Sequence, residues 1–312
     1  MLINPILASS ARRRMRSWKT PLILLLFGAA LLGIAFVTAL MPLMGESMTI
    51  SSARNGLDSY IVLVCAEFAL IVLVAPAMTA GSIAGERERQ TLEMLLVTNT
   101  GSLRIVAGKL LESLGYVALL LVAALPTMCL TLITGGVTLA DVLTGALFLL
   151  VTAFAALSVG VFASAVFRRT VTATVMAYLL VFLIGVVTLL PMVLGVSYIG
   201  SHYDDMYAST MASSVAVIGG ADAAASGLSV NAFIYSPAMG LMALIADQTS
   251  LLKNTLMDYS YTMYRIYDYL DFSAIKWENM AFMAGAGLLL DLLAACFVRP
   301  REARLRRRSA KQ

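Results

Sequence analysis

Two carboxylates lie inside long apolar stretches of the sequence, Glu67 and Asp291. A charge at the centre of a bilayer costs roughly 2.5–3.5 kcal/mol on insertion scales, so such residues face a bundle interior or a water-filled cavity. They could be proton sites or polar points on a transport path, or hydrogen-bonded carboxyls between packed helices. The two predicted spans that contain them carry one such carboxylate each, and no basic residue lies at mid-depth, which favours the packing role.

The most charged short run between two apolar blocks is Gly85–Leu96. Its leucines recur at i, i+3 and i+4, while Glu86 and Gln90 are i, i+4 neighbours on the other side. This pattern predicts a short amphipathic helix over 85–97, whose polar face could receive force from a soluble partner; a plain polar loop between spans would explain the charges equally well. The candidate contact residues are Glu86, Arg87, Glu88, Arg89, Gln90, Thr91, Leu92, Glu93, Leu95 and Leu96.

Several kinds of chemistry are missing from the sequence. No G-x-x-x-x-G-K-[ST] loop is present, so the chain lacks the usual phosphate cradle for ATP, and no G-x-S-x-G elbow occurs. His202 is the only histidine, which excludes a His-based zinc site. The three cysteines lie in apolar runs and fit packing better than metal binding. We expect no catalytic residues, no metal and no directly bound cofactor.

Composition predicts an all-α integral membrane protein. Of the 312 residues 60% are hydrophobic and only 13% are charged, against roughly 25% charged in soluble domains. The apolar residues form blocks longer than 18, the length at which a helix can span a bilayer. We predict five spans within residues 21–196 and a sixth over 280–298. Their bounds are about Pro21–Met44, Ser59–Ile83, Ile105–Ile133, Leu139–Phe167, Val171–Val196 and Met280–Val298, with Asn55-Gly56 predicted as a turn before the second span.

Basic residues indicate the topology. With six spans and both termini in the cytoplasm, only Arg54, Lys253, Arg265 and Lys276 lie outside, and the other 18 of the 22 lie inside. This distribution satisfies the positive-inside rule. The chain is therefore expected in the cell membrane, with 85–97 on its cytoplasmic side.

Residues 197–279 form a long predicted extracytoplasmic segment before the last span. Within it, Val230–Ala246 is apolar but short and contains Pro237 and Gly240. These features favour a re-entrant or interfacial helix over a full span. A full span here would also place the basic tail, residues 299–312, outside.

Residues 1–20 combine helical apolar spacing with a basic run. This pattern is typical of a helix lying on the cytoplasmic membrane surface. The basic tail is also expected to meet anionic lipid headgroups rather than nucleic acid. The predicted interfacial anchor consists of Arg12, Arg13, Arg14, Arg16 and Trp18.

Ile83–Leu114 resembles the signature of ABC-transporter permeases of the type-two exporter family. The resemblance lies in an acidic-basic elbow, a Thr-Leu-Glu-x-Leu-Leu run over Thr91–Leu96 and the pair Gly108-Lys109. The opening Asn4-Pro5-Ile6-Leu7 is similar to the family's interfacial helix. Thr98–Ser102 departs from the family's Thr-Pro-x-Ser, Ser9-Ser10-Ala11 stands where a glutamate is common, and the segment before the last span is longer than usual.

The resemblance implies the permease subunit of an ATP-driven exporter. Two such chains, identical or different, would enclose the path, and each would bind a separate ATP-binding subunit that carries ATP and Mg. The coupling helix 85–97 would dock on that subunit, helped by the N-terminal helix. Two other classes stay open: a proton-coupled secondary transporter using Glu67 and Asp291, and a membrane sensor or scaffold. The sequence does not select a substrate.

Overall fold

The computed structural model describes residues 19–44, 52–90, 102–134, 137–185, 187, 236–248 and 272–298. Every regular element in these ranges is a helix, which confirms the all-α class. The helices are α1 Lys19–Met44, α2 Ser52–Ala80, α3 Ala84–Glu88, α4 Ser102–Thr134, α5 Leu139–Val166, α6 Thr170–Gly185, α7 Pro237–Gln248 and α8 Phe272–Val298.

Four of these helices, α2, α4, α5 and α8, are long and apolar enough to cross a membrane. Within the described residues, two more apolar stretches, Leu24–Thr38 of α1 and Thr170–Gly185, are shorter than a full span. The structure thus shows a multi-pass helical membrane protein. The count of six spans stays a prediction.

Two helix boundaries differ from the predicted ones. Asn55-Gly56, predicted as a turn, lies inside α2, which begins at Ser52. A glycine inside a helix costs about 1 kcal/mol relative to alanine. The long apolar helix that follows outweighs this local preference, because continuing the helix satisfies the backbone hydrogen bonds of these residues. The last helix also starts earlier than the predicted span, at Phe272, and therefore includes Trp277.

By its internal contacts the chain divides into two units, residues 1–181 with 284–312, and residues 182–283. In the first unit α5 packs against α2 and α4, and α1 packs against both α2 and α4. Of the four long apolar helices, α5 is the most buried. It is the central helix of the first unit.

Small residues bring α2 and α5 close together. A Cβ on Gly160 of α5 would lie 2.9 Å from the backbone oxygen of Pro76 and would overlap the hydroxyl of Thr79. The Thr79 hydroxyl in turn donates a hydrogen bond of 2.9 Å to the backbone oxygen of Leu157. Close approach through glycine and a hydroxyl bond between helices are typical of membrane bundles, where the lipid is as apolar as the side chains.

Three helices meet through alanines where α2 ends. Ala80 of α2, Ala163 of α5 and Ala177 of α6 form one fully buried cluster. Tyr178 of α6 adds a hydrogen bond of 2.7 Å from its hydroxyl to the backbone oxygen of Leu73 in α2. The segment that follows Ala80 therefore starts from a tightly packed junction.

In the second unit, α7 is held at both ends. Ser236 caps its N-terminus by accepting a hydrogen bond from Met239 N at 3.2 Å, and its own backbone oxygen accepts from Asn279 Nδ2 at 2.8 Å. At the other end Asp247 forms an ion pair with buried Lys276. The 12 residues of α7 extend about 18 Å, too short to cross a hydrocarbon core of about 30 Å. The described helix overlaps the apolar segment predicted at 230–246, and Pro237 stands at its first position instead of interrupting it. The re-entrant or interfacial role of this segment stays a prediction.

Candidate docking elbow

The charged run begins with a compact turn, residues 81–90, which we call the elbow. Its backbone hydrogen bonds run from Gly85 N to Gly81 O and from Arg87 N to Ile83 O, both 3.0 Å. The short helix α3 ends at Glu88, and Gln90 has a left-handed φ of 60°. The i, i+4 spacing predicted that Glu86 and Gln90 share a helix. This prediction is wrong, because the helix ends before Gln90. Residues 91–97 of the predicted coupling helix, Thr91, Leu92, Glu93, Leu95 and Leu96 among them, lie outside the described residues.

The N-terminus of α3 is capped by a side chain from another helix. Ser164 Oγ of α5 accepts hydrogen bonds from the backbone N–H groups of Ile83 and Ala84, both at 2.9 Å. The first N–H groups of a helix have no partner inside it, and a serine, threonine, aspartate or asparagine just before the helix normally supplies one. Ile83 stands at that position and has no such oxygen. Ser164 fills this role from 80 residues further along the chain.

Two charged side chains of the elbow are bonded to neighbouring helices. Glu86 Oε1 pairs with Lys109 Nζ of α4 at 2.7 Å, with both side chains about one-fifth exposed. Arg87 Nη1 donates to the backbone oxygen of Ala165 near the end of α5 at 3.2 Å. These contacts fix the elbow to α4 and α5.

A third connection joins the elbow to α6. Glu88 Oε2 accepts hydrogen bonds from Thr170 N at 3.2 Å and from Thr170 Oγ1 at 2.9 Å. Thr170 is the first residue of α6, so the Glu88 carboxylate caps the N-terminus of that helix. The two hydrogen bonds from Thr170 lower the pKa of Glu88, because they stabilise its ionised form. Gly85 leaves room for this contact, since a Cβ there would lie 3.3 Å from Thr170 Cγ2.

The outward face of the elbow carries the remaining polar groups. Glu88, Arg89 and Gln90 are exposed, and so are Arg168 and Arg169 in the short junction between α5 and α6. The predicted contact residues that the structure describes therefore differ in their surroundings. Glu86 and Arg87 are partly buried and engaged inside the protein, whereas Arg89 and Gln90 face outward.

The intramembrane carboxylates are held at different places. Glu67 is 2% exposed and lines a cavity between α2, α4 and α5, together with Tyr60, Leu121 and Met128. Asp291 of α8 is also buried, and its Oδ2 accepts a hydrogen bond from Ser158 Oγ of α5 at 3.1 Å. No contact among the described residues joins the two carboxylates.

The predicted interfacial anchor, Arg12, Arg13, Arg14, Arg16 and Trp18, lies outside the described residues. Within the described part of the chain, no group of histidine, cysteine, aspartate and glutamate side chains could hold a metal ion.

Sequence reasoning missed Ser164 and Thr170. Both are small hydroxyl residues at the end of an apolar span or just after it. Their only signal was the Arg168-Arg169 pair, which marks the cytoplasmic end predicted for the fourth span. Nothing in the sequence placed them beside a run of charges about 80 residues earlier.

Comparison with known families agrees with this architecture. The family described as "ABC-2 family transporter protein" matches residues 5–299, nearly the whole chain. No curated protein matches the chain. The match includes all the described helices, the elbow among them. The chain therefore belongs to the ABC-2 transporter family and is a membrane-spanning permease of an ABC transporter.

Proposed function

We propose that this chain is the permease subunit of an ATP-driven exporter and that its elbow docks a separate ATP-binding subunit. The observation that carries the proposal is the bracing of α3. This one-turn helix is capped by α5, ion-paired to α4 and hydrogen-bonded to the start of α6. A displacement of the elbow would therefore be transmitted to all three helices, whereas a flexible loop would not transmit it.

The chain needs a partner because it has no phosphate-binding loop of its own. ATP and Mg would be held by the partner, and closure of two ATP-binding subunits would displace the elbows of two permease chains. Both termini and the elbow lie on the cytoplasmic side in this proposal, in keeping with the distribution of basic residues. Six spans per chain would form half of the path.

The contacts of the two carboxylates favour ATP-driven transport, coupled through the elbow, over proton-coupled transport. Asp291 is hydrogen-bonded to Ser158, and Glu67 lies in a separate cavity. These positions fit carboxyls that pack between helices. Among the described residues, no chain of titratable groups connects the two carboxylates.

Photo-cross-linking tests the docking site. A benzoylphenylalanine is placed at exposed Gln90 and, as the matched control, at exposed Ala140 in the first turn of α5. Ala140 lies about 36 Å from Ser164 along the helix axis. Each tagged chain is irradiated in its native host membrane, purified, and analysed by mass spectrometry.

We expect position 90, and not position 140, to cross-link to a chain that contains a G-x-x-x-x-G-K-[ST] loop. The unmodified chain should co-purify with the same protein and stimulate its ATPase activity. Failure of any ATP-binding chain to co-purify would contradict the proposal, as would equal cross-linking from both positions.

A further inference from the structure

The charges on the outward side of the elbow are not balanced. Glu86 is paired with Lys109, and the Oε2 atom of Glu88 is engaged by Thr170. Arg89, Arg168 and Arg169 are exposed, and within the described residues none of them has a carboxylate within 4 Å. In the described part of the elbow and of the α5–α6 junction, three exposed guanidinium groups therefore accompany one exposed carboxylate, that of Glu88.

The bond between Glu88 and Thr170 places these arginines on one surface. Arg168 and Arg169 directly precede Thr170, so the junction of α5 and α6 lies against the elbow although 80 residues separate them in sequence. Arg169 is near enough to Glu88, and Arg168 to Arg87, for their charges to interact. We call the exposed set Arg89, Arg168 and Arg169 the basic patch.

We propose that the basic patch is part of the docking surface and that the ATP-binding subunit presents aspartate or glutamate side chains to it. This inference rests on the proposed function and adds two statements to it: the surface includes the junction of α5 and α6, and its partner is acidic there. Guanidinium groups bind carboxylates through two parallel hydrogen bonds, which fix orientation as well as charge. Exposed charge pairs of this kind set association rate and specificity more than final affinity.

Anionic lipid is the competing occupant, because arginines at the end of a span commonly meet headgroups. The position of the patch favours the protein partner. Arg89 directly follows α3, and Arg169 is near enough to Glu88 of α3 for their charges to interact. If the patch bound only lipid headgroups, Arg168 and Arg169 would be sufficient and Arg89 would not contribute.

Binding measurements distinguish these occupants. The full chain is reconstituted in nanodiscs of phosphatidylcholine alone or with phosphatidylglycerol, and the co-purified ATP-binding subunit is titrated onto it at low and high salt. The variants are Arg168→Glu with Arg169→Glu, and Arg89→Glu alone. Arg168→Lys with Arg169→Lys is the matched control, since it keeps both charges.

In phosphatidylcholine we expect each glutamate variant to slow association about tenfold or more at low salt, with the difference shrinking as salt rises. The lysine control should stay within a few-fold of the unaltered chain. Replacing an acidic residue of the ATP-binding subunit, close to the site that cross-links to position 90, by a basic one should restore part of the lost association rate. Arg89→Glu keeps the test decisive if the double variant fails to insert.

Unchanged association of the glutamate variants in phosphatidylcholine would overturn the inference while leaving the proposed function standing. An effect confined to the phosphatidylglycerol discs would assign the arginines to lipid and would overturn it equally. Absence of any ATP-binding partner would remove the proposed function and this inference together.

Discussion

Glu88 of α3 and Thr170 of α6 are joined at two points: Oε2 of the carboxylate accepts from both the backbone N–H and the hydroxyl of the threonine, at 3.2 and 2.9 Å. The two residues are 82 positions apart. Through this contact a residue of the elbow completes the first turn of a different helix. The contact is exposed, so its value lies in fixing geometry more than in overall stability.

A double-mutant cycle tests this contact. Glu88→Ala removes both hydrogen bonds and Thr170→Val removes the one from the hydroxyl. Because the hydroxyl bond is lost in both single variants, we expect the double variant to lose less thermal stability than the sum of the two single losses. Glu88→Gln and Thr170→Ser retain an acceptor oxygen and a hydroxyl, and should preserve most of the unaltered stability. Circular dichroism on heating in detergent measures all five. Strict additivity of the two single losses would show that the residues act independently.

Ser164→Ala should weaken the elbow and the core together. The change leaves the buried N–H groups of Ile83 and Ala84 without their acceptor, and an unsatisfied buried donor costs about 1–3 kcal/mol. Ser113→Ala is the matched control, since Ser113 is also buried but lies in the interior of α4, where it caps no helix. Denaturant unfolding in mixed micelles gives both free energies of unfolding. Equal losses at the two positions would contradict the capping role.

Gly160→Ala should separate α2 from α5. The added methyl group would meet the backbone of Pro76 and the hydroxyl of Thr79, and overpacking of this kind costs about 1–3 kcal/mol. Gly115→Ala in α4 is the same change where nothing lies within 4 Å of the new atom, so it should be neutral or slightly stabilising. Thermal unfolding of the two variants measures the difference. A stable Gly160→Ala protein would show that the two helices tolerate a wider spacing.

Asp291→Asn should be tolerated. The amide oxygen can still accept the hydrogen bond from Ser158, and the substitution removes the cost of a charge within the span. Asp291→Leu loses that bond and should lower stability by about 1 kcal/mol. Stability and partner-stimulated ATPase activity are measured for both variants. A folded Asp291→Asn protein without stimulated activity would instead favour a proton role for the carboxyl.

The sequence by itself determined the class of the protein and the position of its most informative segment. Long apolar blocks can satisfy their backbone hydrogen bonds in lipid only as helices, so composition alone predicted the all-α architecture. A short run with four charges between two such blocks must leave the apolar core, which located the elbow. Local signals failed at Asn55-Gly56, where the demands of a membrane helix outweighed a turn preference.

Only the tertiary structure decided what each charge of the elbow does. From the sequence, the roles of Glu86, Arg87, Glu88 and Arg89 could not be distinguished. The spacing within one segment contains no information about contacts with residues 80 positions away. Packing of α5 and α6 against α2 brings Ser164 and Thr170 to the elbow, and it directs Glu86 and Arg87 inward. Arg89 follows the last residue of α3 and is exposed. Hydrogen-bond partners supplied by distant helices, and not the local pattern, separate the bracing residues from the exposed ones.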